Sequence, residues 1–279
     1  MRIATWNVNS LKARLDKVLG WLELRQPDIL LMQETKLSDD AAPVLPFRMA
    51  GYELAHHGEG RWNGVAIASR LGVADVVTNF GDGPVRPGLA ADDEPLREAR
   101  MLSAVCGGIR IATLYAPNGR VVGSESYAAK LAWFERLRRW LAEVEDPASA
   151  MVVGGDLNVA PTDDDVWDPL AAHGGTHVSE PEREAFMELL EWGLFDAYRL
   201  HHEEGGRYSW WDYRAGHFHK NFGMRIDHLL ATRTVAARLT AAEIDRDARK
   251  NPTPSDHAPL WIDLDGVETA PTPLSRPSA

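Results

Sequence analysis

Two periodicities alternate along the chain, and each predicts an element. Met1–Trp6 is a short apolar strand, and Leu11, Leu15, Val18, Leu19 and Leu22 then recur at helical spacing. Asn9 or Ser10 stands at the expected N-cap, and Pro27-Asp28 ends the helix. Ile29–Met32 reads as a buried strand ending at Gln33-Glu34, and Gly64–Ser69 as another. Leu102–Cys106 and Ile109–Tyr115, joined by Gly107-Gly108, predict a hairpin with a two-residue turn. Leu131, Phe134, Leu137 and Leu141 define one face of a helix over Ser126–Val144. Met151–Val153 is a buried strand running into Gly154-Gly155-Asp156, and Pro181–Trp192 is a helix closed by Gly193. Arg225–Ala231 and Ala258–Leu264 are the last strands. Gly81–Glu98, rich in Gly, Pro and Asp, is expected to be a surface loop.

Interleaved strands and helices make the class α/β. No interdomain linker is evident, so residues 1–265 are read as one domain and 266–279, rich in Pro, Ser and Thr, as a disordered tail. The 279 residues, 44% of them hydrophobic, suffice for a large core. No apolar run reaches the roughly 18 residues of a membrane span, and the start of the chain turns polar by Asn7. With a lone cysteine, Cys106, the expectation is an intracellular, cytoplasmic protein without membrane attachment, monomeric by default. The net charge of −11 counts mildly against a polyanionic partner. It also raises the expectation of a bound cation wherever such a chain handles phosphate.

A local pattern carries the chemistry: apolar strands run straight into carboxylates and amides. Trp6-Asn7-Val8-Asn9, Gln33-Glu34-Thr35-Lys36, Tyr115-Ala116-Pro117-Asn118 and Gly155-Asp156-Leu157-Asn158 all follow strands, while Arg225-Ile226-Asp227-His228 and Ser255-Asp256-His257 flank the last two. Singly, each reads as a turn or helix cap. Together they point to a site assembled at strand ends. Glu34, Asp156 and Asp256 are hard oxygen donors, and Asn7 and Asn158 add amide oxygens, a set suited to Mg²⁺ or Mn²⁺. The remaining carboxylate and imidazole suit proton transfer and charge neutralisation at a phosphate. Residue types alone therefore indicate metal-assisted phosphoester hydrolysis.

The ordered set WNVNS, QETK, LYAPNG, GGDLNVAPTDDD, MRIDHLL and SDHAPL resembles the exonuclease III family of abasic-site DNA repair nucleases, within the DNase I-like endonuclease/exonuclease/phosphatase superfamily. The resemblance implies a four-layer α/β sandwich, with two mixed β-sheets face to face and helices outside. It implies Glu34 as the principal metal carboxylate, with Asn7, Asn158 and Asp256 nearby. Asp156 would orient or deprotonate the attacking water, Tyr115 and Asn118 would contact the phosphate, and His257, held by Asp227, would donate to a phosphate oxygen. The implied substrate is double-stranded DNA with abasic sites or damaged 3′ ends, so the protein would act at the nucleoid.

The segment Tyr208–Tyr213 and the following RAGHFHKNFGMR interleave aromatic and basic residues against the acidic background. The resemblance places Trp210, Met224 and Ile226 around an apolar slot for a base-less sugar, and Arg225 is read with the basic run as a nucleic-acid contact. Trp211 and Tyr213 are read as core anchors. Asp163-Asp164-Asp165 is read as a solvated or helix-capping run. Two rivals remain: a phosphodiesterase or phosphatase acting on a non-DNA substrate, and a silent DNA-binding scaffold. The complete set Glu34, Asp156, Asn158, Asp227 and His257 speaks against the second.

Overall fold

The computed structural model describes residues 1–81, 98–250 and 252–266. The expected loop at Gly81–Glu98 and the tail from Gly266 lie almost wholly outside these residues. In chain order the first half contains β1 (Arg2–Asn7), α1 (Leu11–Arg25), β2 (Ile29–Gln33), α2 (Val44–Met49), β3 (Glu53–His57), β4 (Val65–Ser69), β5 (Ala74–Thr78), β6 (Met101–Cys106) and β7 (Ile109–Tyr115). There follow α3 (Glu125–Val144), β8 (Met151–Asp156), α4 (Pro169–Ala172), α5 (Glu180–Trp192), β9 (Leu194–Asp196) and α6 (His217–Lys220). The last elements are β10 (Asp227–Thr232), α7 (Arg233–Ala236), β11 (Leu239–Ile244) and β12 (Leu260–Leu264). Among the described residues no helix is long and apolar enough to cross a membrane.

The strands form two six-stranded sheets, ordered β11-β12-β1-β2-β4-β3 and β5-β6-β7-β8-β10-β9. Among the described residues only β1/β2 and β7/β8 are parallel, so both sheets are mixed. Alternation along each strand divides its side chains between two buried faces. Ile3, Ile29, Leu31 and Ile67 meet Leu102, Ile111, Val152 and Leu229 between the sheets. On the reverse of the first sheet Ala4, Trp6, Leu30 and Met32 pack against Leu11, Val18 and Leu22 of α1. On the reverse of the second, Met101, Leu114 and Val153 pack against Phe134 and Leu137 of α3 and Phe186 of α5. Helix, sheet, sheet and helix make the four-layer α/β sandwich.

The local signals explain most element ends. Ser10 caps α1 by accepting from Ala13 N, and Gly107 and Gly108 adopt φ 57° and 80° in the β6–β7 turn, the conformation a two-residue hairpin loop requires. β10 and β12 start later than the apolar pattern predicts. The Arg225 N–H is diverted to Asp165 O, and the Ala258 N–H to Ser209 O. Between the sheets, the Gln33 amide donates at 3.0 Å to both Thr5 Oγ1 and Thr113 Oγ1, a buried polar clasp just below one rim.

Candidate active site

The two parallel pairs occupy the middle of their sheets and send their C-terminal ends to one rim. Asn7 ends β1 opposite Gln33 of β2, and Tyr115 ends β7 opposite Asp156 of β8. Asp227, the first residue of antiparallel β10, pairs with Asp156. β12 runs antiparallel to β1, so the segment Ser255–His257 ahead of it reaches the same rim. There the Ser255 hydroxyl donates to Asn7 O at 2.7 Å, and the Trp6 indole N–H to His257 O at 3.2 Å. The backbone turns aside as it leaves the strands. Glu34 and Asn158 adopt left-handed φ of 52° and 53°, a conformation uncommon for side-chain-bearing residues and enriched where geometry serves function.

The convergence places one ligand atom each of Glu34, Asp156 and His257 within 4.8 Å of one another. The Asn7 amide nitrogen donates to Glu34 Oε1 at 2.8 Å and to Asp156 Oδ2 at 2.9 Å. The Tyr115 hydroxyl donates to Glu34 Oε1 at 3.0 Å. Lys36 pairs with Glu34 Oε2 at 2.8 Å and also donates to Asn9 Oδ1 at 2.6 Å. His257 Nδ1 lies 2.8 Å from Asp227 Oδ2, and its Nε2 lies 3.7 Å from Asp156 Oδ2. The Asn158 N–H donates to Asp156 Oδ1 at 3.0 Å, and the exposed Asn118 amide donates to Asn158 Oδ1 at 3.3 Å.

These neighbours set the protons. Burial opposes charge on the His257 ring, but Asp227, Asp156 and Asp256 outweigh it and push the imidazole up to about 10. Burial, reinforced by Asp227 and Glu34 against the opposing His257, pushes Asp156 up to about 7. Glu34 goes the other way: burial favours its neutral form, but Lys36 and Asn7 hold it below the ordinary carboxylate range. The site therefore presents an ionised carboxylate, a carboxylate poised near neutrality and a protonated imidazole.

Several expected residues fall elsewhere. The Asn7 carbonyl oxygen accepts from Asn9 N at 3.0 Å, so this side chain faces the carboxylates as a donor. Asn158 spends its amide nitrogen on Ala116 O and its oxygen on Asn118. Asp256 stands one step out, accepting from Asn9 at 3.0 Å and from the Trp210 indole at 3.2 Å. The carboxylates drawn closest to each other and to His257 are Glu34 and Asp156. Arg225 requires a correction: it is 1% exposed at the side chain, with Nε 2.7 Å from Asp165 and Nη1 2.8 Å from Asp196, so it braces the interior and presents no face to a groove. Its partner Asp165 is likewise fully buried, while Asp163 and Asp164 are exposed. Tyr213, expected in the core, is half exposed, its hydroxyl donating to Pro254 O at 2.9 Å; Trp211 is fully buried. Ile226 forms an apolar patch with Ala160, Val166 and Val178, against which Trp210 and Met224 pack. Lys36, in the QETK motif two residues after Glu34, joins the site through its ion pair with Glu34, a role that its residue type alone does not signal.

The chain has counterparts among known proteins in sequence and in fold. A model of the Endonuclease/Exonuclease/phosphatase family matches residues 4–257. The chain belongs to this family. It is 31% identical to an exodeoxyribonuclease of Bacillus subtilis, over 94% of this chain and 98% of the relative. An AP endonuclease from Archaeoglobus fulgidus is 37% identical with a TM-score of 0.88, covering 95% of this chain and 99% of that one. The Neisseria enzyme NExo, described as a 3′–5′ exonuclease and, bound to a product DNA hairpin, as a 3′ phosphatase, is 38% identical. Its TM-scores are 0.87 and 0.86, with 95% of this chain and at least 99% of that one covered.

Proposed function

We propose that the chain is a DNA-repair nuclease of the exonuclease III kind, hydrolysing the phosphodiester 5′ to an abasic site to leave a 3′-hydroxyl, and trimming damaged 3′ ends. The observation that carries this reading is the cluster of Glu34, Asp156 and His257 at the common rim of both sheets, with Asp227 behind the imidazole. Its donor chemistry fits a hard divalent cation. A buried and a partly buried carboxylate in close quarters repel, which is part of why Asp156 is pushed upward, and oxygen donors suit Mg²⁺ or Mn²⁺. Glu34 and Asp156 would hold the ion; when bound it supplies positive charge for the phosphate.

The chain's own groups account for the remaining steps. Asp156 accepts the proton of the attacking water. Asn7, donating to both carboxylates, fixes their relative orientation. His257 donates from Nε2 to a non-bridging phosphate oxygen while Asp227 holds Nδ1, and the Tyr115 hydroxyl and the exposed Asn118 amide contact the same phosphate, with Asn158 bracing Asn118 from behind. Trp210, Met224 and Ile226 offer an apolar slot in which a sugar without a base fits more readily than a complete nucleotide. The protein would act as a monomer, in the cytoplasm at the nucleoid.

The likeness to NExo supports a second reading, in which processing of 3′ ends is the main activity. A labelled duplex with an abasic analogue, a duplex ending in a recessed 3′-phosphate and a soluble phosphoester distinguish the readings, each assayed with Mg²⁺ and with EDTA. A metal-dependent nick 5′ to the lesion is the expected result. Turnover at the 3′ end alone selects the second reading, and turnover of the soluble ester alone contradicts both.

A further inference from the structure

Beneath the loops that carry Asn118 and Asn158 lies an ion pair that the reaction above does not use. Lys130 of α3 and Glu182 in the first turn of α5 are in contact, and neither side chain has any exposed surface. Lys130 occupies the apolar face of α3, one turn before Phe134. Burial pulls its ammonium below the ordinary lysine range, against the opposing pull of Glu182. Taking both charges out of water costs several kcal/mol, and apolar residues of similar size commonly hold two elements together as well. The α3–α5 contact is already fastened by its apolar core, by Arg138 and Glu188 3.5 Å apart near its surface and by the Tyr127 and Ser179 hydroxyls at 2.7 Å, so fastening two helices does not account for a fully buried lysine here.

The ammonium does something an apolar side chain cannot. Its Nζ donates to Asn158 O at 2.6 Å and to Asn118 O at 3.4 Å, joining the loop after β8 to the loop after β7. The same carbonyls receive His177 Nδ1 at 2.6 Å and Thr176 Oγ1 at 3.1 Å. Glu182 Oε1 in turn accepts from His177 N at 3.0 Å. The chain crosses the lysine stem at Gly119, φ 82°, where a Cβ would come within 2.9 Å of Lys130 Cδ. From Asn158 the connection reaches the chemistry directly, because its N–H is bonded to Asp156 Oδ1.

We propose that Lys130 is a positioning residue. It fixes the peptide groups of Asn118 and Asn158 so that the Asn118 amide, and the Asp156 carboxylate bonded to Asn158 N, are aimed at the phosphate. The inference rests on the phosphoester-hydrolase reading of the same site.

Lys130→Met and Glu182→Gln break the same ion pair but differ in what they leave on the loops, since only the first removes the donor to both carbonyls. Both variants are expected to lower the unfolding temperature. On the DNA duplex that the wild type cleaves, Lys130→Met is expected to lower kcat by about 10- to 100-fold with KM little changed, while Glu182→Gln keeps kcat close to wild type. Hydrogen exchange at the Asn118 and Asn158 amides should rise in Lys130→Met only, a readout that holds even if no DNA is cleaved and the hydrolase reading fails. Should Lys130→Met not fold, the double variant, with neither buried charge, replaces it. Equal kcat losses in the two single variants, kcat recovered along with stability in the double variant, or unchanged exchange would overturn the proposal.

Discussion

At the scale of single residues, the site works by placing opposite demands on protons a few ångströms apart. His257 keeps its proton because carboxylates flank it, Asp227 first among them. The folded value is raised, so the protonated ring is present at low pH and is lost as pH climbs through that value. Asp227→Asn removes the largest stabilising charge. The alkaline limb of the pH–rate profile should then move down by about one to three units, and an unmoved limb would show that Asp227 does not set the ring's charge. Glu34, Asp156, Asp227 and His257 were legible from sequence because each adjoins an apolar run whose end marks the sheet's rim. Arg225 was not legible. Its residue type suggests phosphate, but its direction is set by Asp165 and Asp196, which are distant in sequence and buried with it.

At the scale of elements, legibility followed burial on two faces. The central strands β1, β2, β4, β6, β7, β8, β10 and β12 read as apolar runs because helices cover one face and the opposite sheet the other. The missed strands β3, β5, β9 and β11 are the four sheet edges. Their burial is partial, as in the exposed start of β5, so they leave no such run. The crowded centre also makes a sharp prediction. Gly155 sits at φ 149°, and a Cβ there would lie 1.9 Å from Leu114 O of β7. Gly155→Ala should therefore force β7 and β8 apart, costing at least about 2 kcal/mol and displacing Asp156. Chemical denaturation checks the cost, and a loss below about 0.5 kcal/mol, the level of an ordinary surface change, would contradict the tight packing.

At the scale of the whole molecule, an acidic body of net charge −11 carries a site for a polyanion, and its interior is held by charges that pH can unbalance. His228 is fully buried, its ring donating from Nε2 to Val159 O and meeting Arg225 at Nδ1. Burial first, and then the Arg225 charge, pushes it down to about 4. The unfolded chain takes up this proton below the ordinary histidine value of about 6.5, whereas the folded chain resists until about 4. The associated stability is thus complete above the upper value and lost as pH falls toward the lower. Its size is on the order of 3 kcal/mol. Denaturant midpoints measured at neutral and mildly acidic pH should fall accordingly, and an unchanged midpoint would show that His228 is not held neutral.

In the proposed reaction Glu34 and Asp156, brought together at the shared rim of two sheets, run a metal-dependent hydrolysis of a DNA phosphoester. Single-turnover cleavage of a labelled abasic duplex by wild type and Asp156→Asn, across a Mg²⁺ titration and in EDTA, with DNA binding followed in parallel, tests it most directly. Cleavage is expected to rise with Mg²⁺ and vanish in EDTA, and the Asp156→Asn enzyme to bind DNA nearly as well but cleave at least about 100-fold more slowly. Cleavage that persists in EDTA, or an Asp156→Asn enzyme that cleaves at close to the wild-type rate, would contradict it.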